Sequence, residues 1–112
     1  MRSGYITSEE MRWLLVDFDE TICRNEGAPD FKPTTIIEGA KEALDKLVSN
    51  HWKIIIYTSR HWGEHQIIED WLNEHRVPFK QIICGKPLAR WIIDDRAISF
   101  KGNWQDVLDK VK

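Results

Sequence analysis

Short, wholly apolar runs alternate along this chain with stretches whose apolar residues recur at helical spacing. The first run, Trp13-Leu14-Leu15-Val16, ends at Asp17 and is apolar on both faces, which suits a buried parallel strand. Lys53-Ile54-Ile55-Ile56-Tyr57-Thr58 is richer still in β-branched residues and gives the strongest strand signal. Gln81-Ile82-Ile83-Cys84 reads as a third strand and Trp91-Ile92-Ile93 as a fourth. Between the first two, Thr35-Ile36-Ile37-Glu38 has the form of a capping box, and Ile36, Ile37, Ala40, Ala43, Leu44, Leu47 and Val48 then mark one face of a helix running to about Asn50. A second helix is predicted over about 62–75, with Ile67, Ile68, Trp71 and Leu72 inward, and a third over about 103–111, burying Trp104, Val107, Leu108 and Val111.

Strand and helix in turn are the mark of βαβ units, so the expected fold is one α/β domain over residues 11–112 with a parallel sheet covered on both faces. Residues 1–10 carry no pattern and read as an N-terminal extension. One link breaks the alternation. Only six residues separate Cys84 from Trp91, whereas a parallel crossover usually takes a dozen or more. Six extended residues reach about 20 Å, enough for an abridged return but too few for a full helix.

Composition adds limits. The 112 residues leave room for one modest core, and 42% apolar with 30% charged residues is ordinary for a globular protein. A formal charge of −2 shows no basic field of the kind a dedicated nucleic-acid binder needs. Cys23 and Cys84 sit in or beside apolar runs and read as reduced core thiols. The N-terminus lacks the apolar core of a signal peptide and no run approaches the ~20 residues of a membrane span, so a cytoplasmic location is expected.

Chemistry collects at the carboxyl ends of the predicted strands: Asp17 and Asp19 after the first, Thr58 and Ser59 after the second, Lys86 after the third, Asp94 and Asp95 after the fourth. In an open parallel sheet those ends form the ligand crevice. Asp17 and Asp19, two apart, project to one side if the extended geometry continues. Four carboxylates so close call for a cation or for protonation. An all-oxygen set without His or Cys favours a hard ion, Mg²⁺ above all. Lys86 supplies a mobile positive charge for a phosphoryl group, and a Thr58 hydroxyl with backbone N–H groups can bind its other oxygens. A carboxylate nucleophile that forms an acyl phosphate, with a second carboxylate moving the proton, fits this set.

The same residues carry a family resemblance. Val16-Asp17-Phe18-Asp19-Glu20-Thr21-Ile22 resembles the DxDxT motif of the haloacid dehalogenase (HAD) superfamily; Tyr57-Thr58-Ser59, Gly85-Lys86-Pro87 and Ile93-Asp94-Asp95 resemble its second, third and fourth motifs, in order, over about residues 12–96. The resemblance implies a single three-layer Rossmann-like domain. It implies that Asp17 is nucleophile and Mg²⁺ ligand, that Asp19 is general acid/base and lends its carbonyl to the metal, and that Thr58 and Lys86 hold the phosphoryl group. Asp94 and Asp95 would complete the metal site, and Thr21 would shape the turn. Glu20 stands where many relatives have Gly, Ser59 beside Thr58 leaves open which hydroxyl binds phosphate, and the third motif falls on the abridged link. Neither gap between motifs is long enough for a cap domain, so the site should be open unless the 23–34 loop or a homo-oligomer partner covers it.

The expectation is therefore a Mg²⁺-dependent phosphomonoesterase acting on a small molecule or a macromolecular end. The string Ile93-Asp94-Asp95-Arg96 is similar to polynucleotide 3′-phosphatases, which keeps a nucleic-acid end as an alternative substrate. From another class, the rival is a catalytically idle phosphate-binding or regulatory module. Arg60 and Arg96, each just past a motif, are candidates for holding a substrate anion, against the weaker reading of surface ion pairs. His61 and His65 have the i,i+4 spacing of a zinc pair but no third ligand, and read as a polar helix face. His51 and His75 read as partners of helix C-termini. Trp62, beside the second motif, is the tryptophan best placed to touch substrate.

Overall fold

Three of the predicted strands form and pair in parallel in the computed structural model, which describes residues 12–25 and 32–111. They are β1 (Trp13–Val16), β2 (Lys53–Tyr57) and β3 (Gln81–Ile83), in the order β1-β2-β3. The register aligns Leu14 with Ile54, Val16 with Ile56, and Ile56 with Ile82. Period-two alternation therefore puts these five residues on one face, and apart from half-buried Leu14 all are buried. Each crossover carries a helix: α1 (Ala40–Ser49) between β1 and β2, and α2 (His65–Glu74), entered through a 3₁₀ turn over Trp62–Glu64, between β2 and β3. Ala43, Leu44 and Leu47 of α1 and Ile68, Trp71 and Leu72 of α2 join Ile54 and Ile56 in one core cluster. Helix α3 (Trp104–Lys110) closes the end of α1, with buried Trp104 donating from Nε1 to the Thr21 carbonyl at 2.9 Å.

The opposite face of the sheet corrects the three-layer expectation. Trp13 and Leu15 are 38% and 61% exposed, and Ile55, Tyr57 and Ile83 on the same face are only half-buried. The reason lies in handedness. Two successive crossovers that step the same way across a sheet, both right-handed, put their helices on one side. The second helical layer would have to come from the connection after β3, which holds no helix until Trp104.

That connection also corrects the fourth strand. Leu88, Trp91, Ile92 and Ile93 are 90%, 76%, 64% and 99% exposed, and residues 84–94 lie in no helix or strand. Gly85 and Lys86 stay tied to the end of β2, their N–H groups donating to the carbonyls of Arg60 (2.8 Å) and Thr58 (2.9 Å). From Lys86 to Trp91 a stretched chain spans about 17 Å. A return to the free edge of β1 covers three strand spacings of ~4.8 Å and one short strand length, about the same distance. The link has no slack, and among the described residues no strand pairs with the outer edge of β1.

Helix α1 begins at Ala40, later than the capping-box pattern suggested, with Gly39 at its N-cap and no side-chain cap. Tertiary pairing takes the earlier residues: Ile36 bridges Cys23, Ile37 N–H donates to Ile22, and Arg24 exchanges backbone bonds with Thr34 and Thr35. Both cysteines are buried and free, as read from sequence. Among the described residues no helix is long and apolar enough to cross a membrane. The N-terminal extension and most of the 23–34 loop's tip lie outside the described residues.

Candidate active site

The first turn after β1 is built around Phe18. Its ring is fully buried, edge-on to Trp71 at 5.5 Å, and its carbonyl accepts the N–H groups of Thr21, Ile22 and Cys23. With Phe18 pinned inward, Asp17 and Asp19 on either side of it turn outward together, as their spacing predicted. Glu20, next in line, sits at φ 59°, in the left-handed region that glycine occupies freely.

Asp17 is the open carboxylate. Its side chain is 42% exposed, Oδ1 accepts the Phe18 N–H at 2.8 Å, and Oδ2 lies 3.9 Å from Lys86 Nζ. Partial burial pushes its pKa up, and the nearby charge of Asp19 adds to this, while the Phe18 N–H and Lys86 pull the other way. Lys86 is mostly buried and also lies over the Tyr57 ring at 5.5 Å. The backbone ties of residues 85–86 to β2 are what hold it there, and Gly85 makes the bend at φ 82°.

Asp19 is a closed carboxylate. Arg60 Nε and Nη2 donate to its two oxygens at 2.9 and 2.8 Å, and Asn25 adds a third bond at 3.1 Å. Arg60 is itself buried, with 7% of its side chain exposed; Nη1 donates to Glu64 Oε1 at 3.0 Å, and its guanidinium lies 5.6 Å from the Phe18 ring centre. Burial alone would lower the arginine pKa, but the hydrogen bond and charge of Asp19, then Glu64, outweigh it and hold the guanidinium charged. Arg60 is thus neither a free substrate ligand nor a surface pair. It is an internal fork joining the first turn to the turn after β2. Glu64 went unnoticed in the sequence, although its i,i+4 spacing from Arg60 was a readable signal.

Thr58 has no exposed surface and its Oγ1 accepts the Arg60 N–H at 3.1 Å, while Ser59 is half-buried. Thr21 shapes the turn through its backbone, as expected. Cys23, behind Asp19, has its thiol pushed up to about 12, first by burial and then by Asp19, which makes it inert.

The fourth motif does not join this group. Asp94 and Asp95 belong to the exposed segment, with side chains 38% and 95% exposed, and Asp94 accepts the Arg96 N–H in a local turn. Arg96, 85% exposed, pairs with these two aspartates, at 3.8 and 4.0 Å. Among the described residues no three His, Cys, Asp or Glu side chains lie together as a metal site. The four predicted carboxylates, as arranged, do not fit a Mg²⁺ ion. Two are open or clamped at the crevice and two lie on the exposed segment. His61 caps the 3₁₀ turn, accepting the Gly63 N–H on Nδ1, and His65 stacks on Trp62.

No family model matches the chain, and no curated protein matches it. A crystal structure of a target from Vibrio cholerae is similar over 88% of this chain and 97% of its own, with a TM-score of 0.65 and 24% identity. The chain shares its fold with that protein.

Proposed function

We propose that the chain is a phosphomonoester hydrolase of the HAD type, with Asp17 as nucleophile. One observation carries the reading: a half-exposed carboxylate and a lysine ammonium 3.9 Å apart, at the carboxyl ends of parallel strands. Asp17 attacks phosphorus, the ester P–O bond breaks, and an aspartyl phosphate forms with the leaving oxygen protonated by Asp19. Water, deprotonated by Asp19, then attacks phosphorus, releasing phosphate and restoring both carboxylates. Lys86 offsets the charge that spreads over the phosphoryl oxygens, and the Ser59 hydroxyl offers a donor to them. Before Asp19 can give a proton, the Arg60 fork must slacken.

Mg²⁺ belongs to this reading only together with Asp94 and Asp95. Bringing them to Asp17 requires residues 88–95 to lie along the free edge of β1. The bare apolar run Trp91–Ile93 and the exposed Trp13 and Leu15 are suited to each other in that pairing. A metal drawing in the two aspartates would supply the attraction that the taut link lacks.

The decisive assay is hydrolysis of p-nitrophenyl phosphate with and without Mg²⁺. Turnover that needs Mg²⁺ and disappears in Asp17→Asn is the expected result. The clamp on Asp19 supports a second reading, an idle phosphate-binding module. No turnover on a panel of nucleotides, sugar phosphates and 3′-phosphorylated oligonucleotides, with phosphate binding intact, would establish it.

A further inference from the structure

Trp62 is 59% exposed yet rigidly held. Its ring lies nearly parallel to His65, with 11° between planes and 5.8 Å between centroids. A Cβ placed on Gly85 would lie 3.5 Å from Trp62 Nε1, so the pyrrole edge rests over that glycine. The turn beneath it is fixed by the reciprocal His61–Glu64 cap, and by Gly63, where a Cβ would come within 2.8 Å of the His61 ring. The other oxygen of Glu64 holds Arg60, which holds Asp19. An indole with one face on an imidazole and one edge on a glycine leaves its remaining face to solvent.

The position of that face matters. Gly85 is the residue before Lys86, whose ammonium lies beside Asp17. A group seated on Trp62 therefore lies one residue along the chain from the lysine that faces Asp17. We infer that Trp62, backed by His65, is a stacking platform for a nucleobase, so that the phosphate ester this crevice takes is a nucleotide or a nucleotide end. The inference rests on the phosphohydrolase reading for the location of the phosphate. The preference for a base over a bare sugar follows from the two-ring stack, which a third planar ring extends. Base–aromatic stacking is worth about 1–3 kcal/mol, which corresponds to roughly 5- to 150-fold in affinity.

The test is equilibrium binding by calorimetry, on the full chain carrying Asp17→Asn, of adenosine 5′-monophosphate and of ribose 5-phosphate. The nucleotide is expected to bind at least about fivefold more tightly. Trp62→Ala should bring that ratio near one, and Trp62→Phe should keep most of it. A 3′-phosphorylated dinucleotide run alongside distinguishes a free nucleotide from a strand end; a Trp62-dependent gain with either supports the platform. Equal binding of the two monophosphates, or a preference that survives Trp62→Ala, overturns the platform and leaves the phosphohydrolase reading standing. Binding of neither ester overturns both.

Discussion

The two halves of the crevice are built on opposite terms. On the β1–β2 side every functional group is anchored by a buried neighbour: Asp17 and Asp19 by Phe18, Arg60 by Asp19 and Glu64, Lys86 by its backbone bonds to β2. On the far side, residues 88–99 are exposed throughout, and Asp94, Asp95 and Arg96 pair with one another. The difference shows that a strand-end motif gains its position from what lies beneath it. Asp17 follows a strand with a partner. Asp94 follows an apolar run without one.

The sharpest way to break this comparison is to truncate one isoleucine on each side. Ile56 is fully buried in the central strand, and Ile56→Ala should cost about 2–5 kcal/mol in urea unfolding. Ile93 is 99% exposed, and Ile93→Ala should stay within about 0.5 kcal/mol without divalent cation. A cost above about 1.5 kcal/mol for Ile93→Ala in EDTA would mean that the segment is already a packed strand. If Mg²⁺ draws the segment onto β1, the same substitution becomes more costly in its presence, and the Trp91 fluorescence shifts with it.

Arg60 comes next in size. Removing one member of a buried pair leaves the other uncompensated, commonly at 3–5 kcal/mol; Asp19 keeps some water, so Arg60→Met should cost about 2–4 kcal/mol. Arg60→Lys keeps the charge but loses the bidentate fork, and should recover only part of this. A double-mutant cycle with Asp19→Asn should give a coupling above about 1 kcal/mol. Additive effects would show that the fork holds nothing together.

Much of this anchored half was legible in the sequence, because its signals were local. The runs at 13–16, 53–57 and 81–83 and the inward placing of Ile68, Trp71, Leu72 and Trp104 follow from periodicity, whereas Ile67, expected inward, is 38% exposed and Val107, Leu108 and Val111 are only partly buried. The exceptions were tertiary. Thr35–Glu38 has helix-start residues but is drawn into bridges with 22–24, and Trp91–Ile93 has strand residues but a taut link with no slack to seat them. The Arg60 fork needed the distance between two turns, 41 residues apart in sequence, to be known.

Asp17 allows the open side of the anchored half to be weighed against its closed side. Its pKa is raised in the fold above the ordinary 3.8, chiefly by desolvation. A raised carboxylate favours the folded state while protonated, and that advantage is lost as pH climbs from about 3.8 through the raised value. Asp17→Asn, which cannot ionise, should therefore match the native chain near pH 3 and exceed it at pH 7. Because the group is largely solvated, the gain at pH 7 should be small, about 1–3 °C in Tm. An Asn variant less stable than the native chain at pH 7 would place the sign the other way, with the Phe18 N–H and Lys86 dominating over burial.

The smallest expected effect concerns Glu20, between the closed carboxylate and the turn that carries it. At φ 59° a residue with a Cβ bears a cost of roughly 1 kcal/mol that glycine escapes. Glycine also gives the unfolded chain more freedom, which offsets part of this, so Glu20→Gly should gain about 0.5 kcal/mol. Its backbone N–H donates to the Cys23 carbonyl at 2.7 Å, and that bond survives the change. A loss instead of a gain would mean that the Glu20 carboxylate itself stabilises the turn. Since Glu20 directly follows Asp19, the sign of this small effect tells whether the first turn is held by its backbone and Phe18 alone, or also by the charge that glycine lacks.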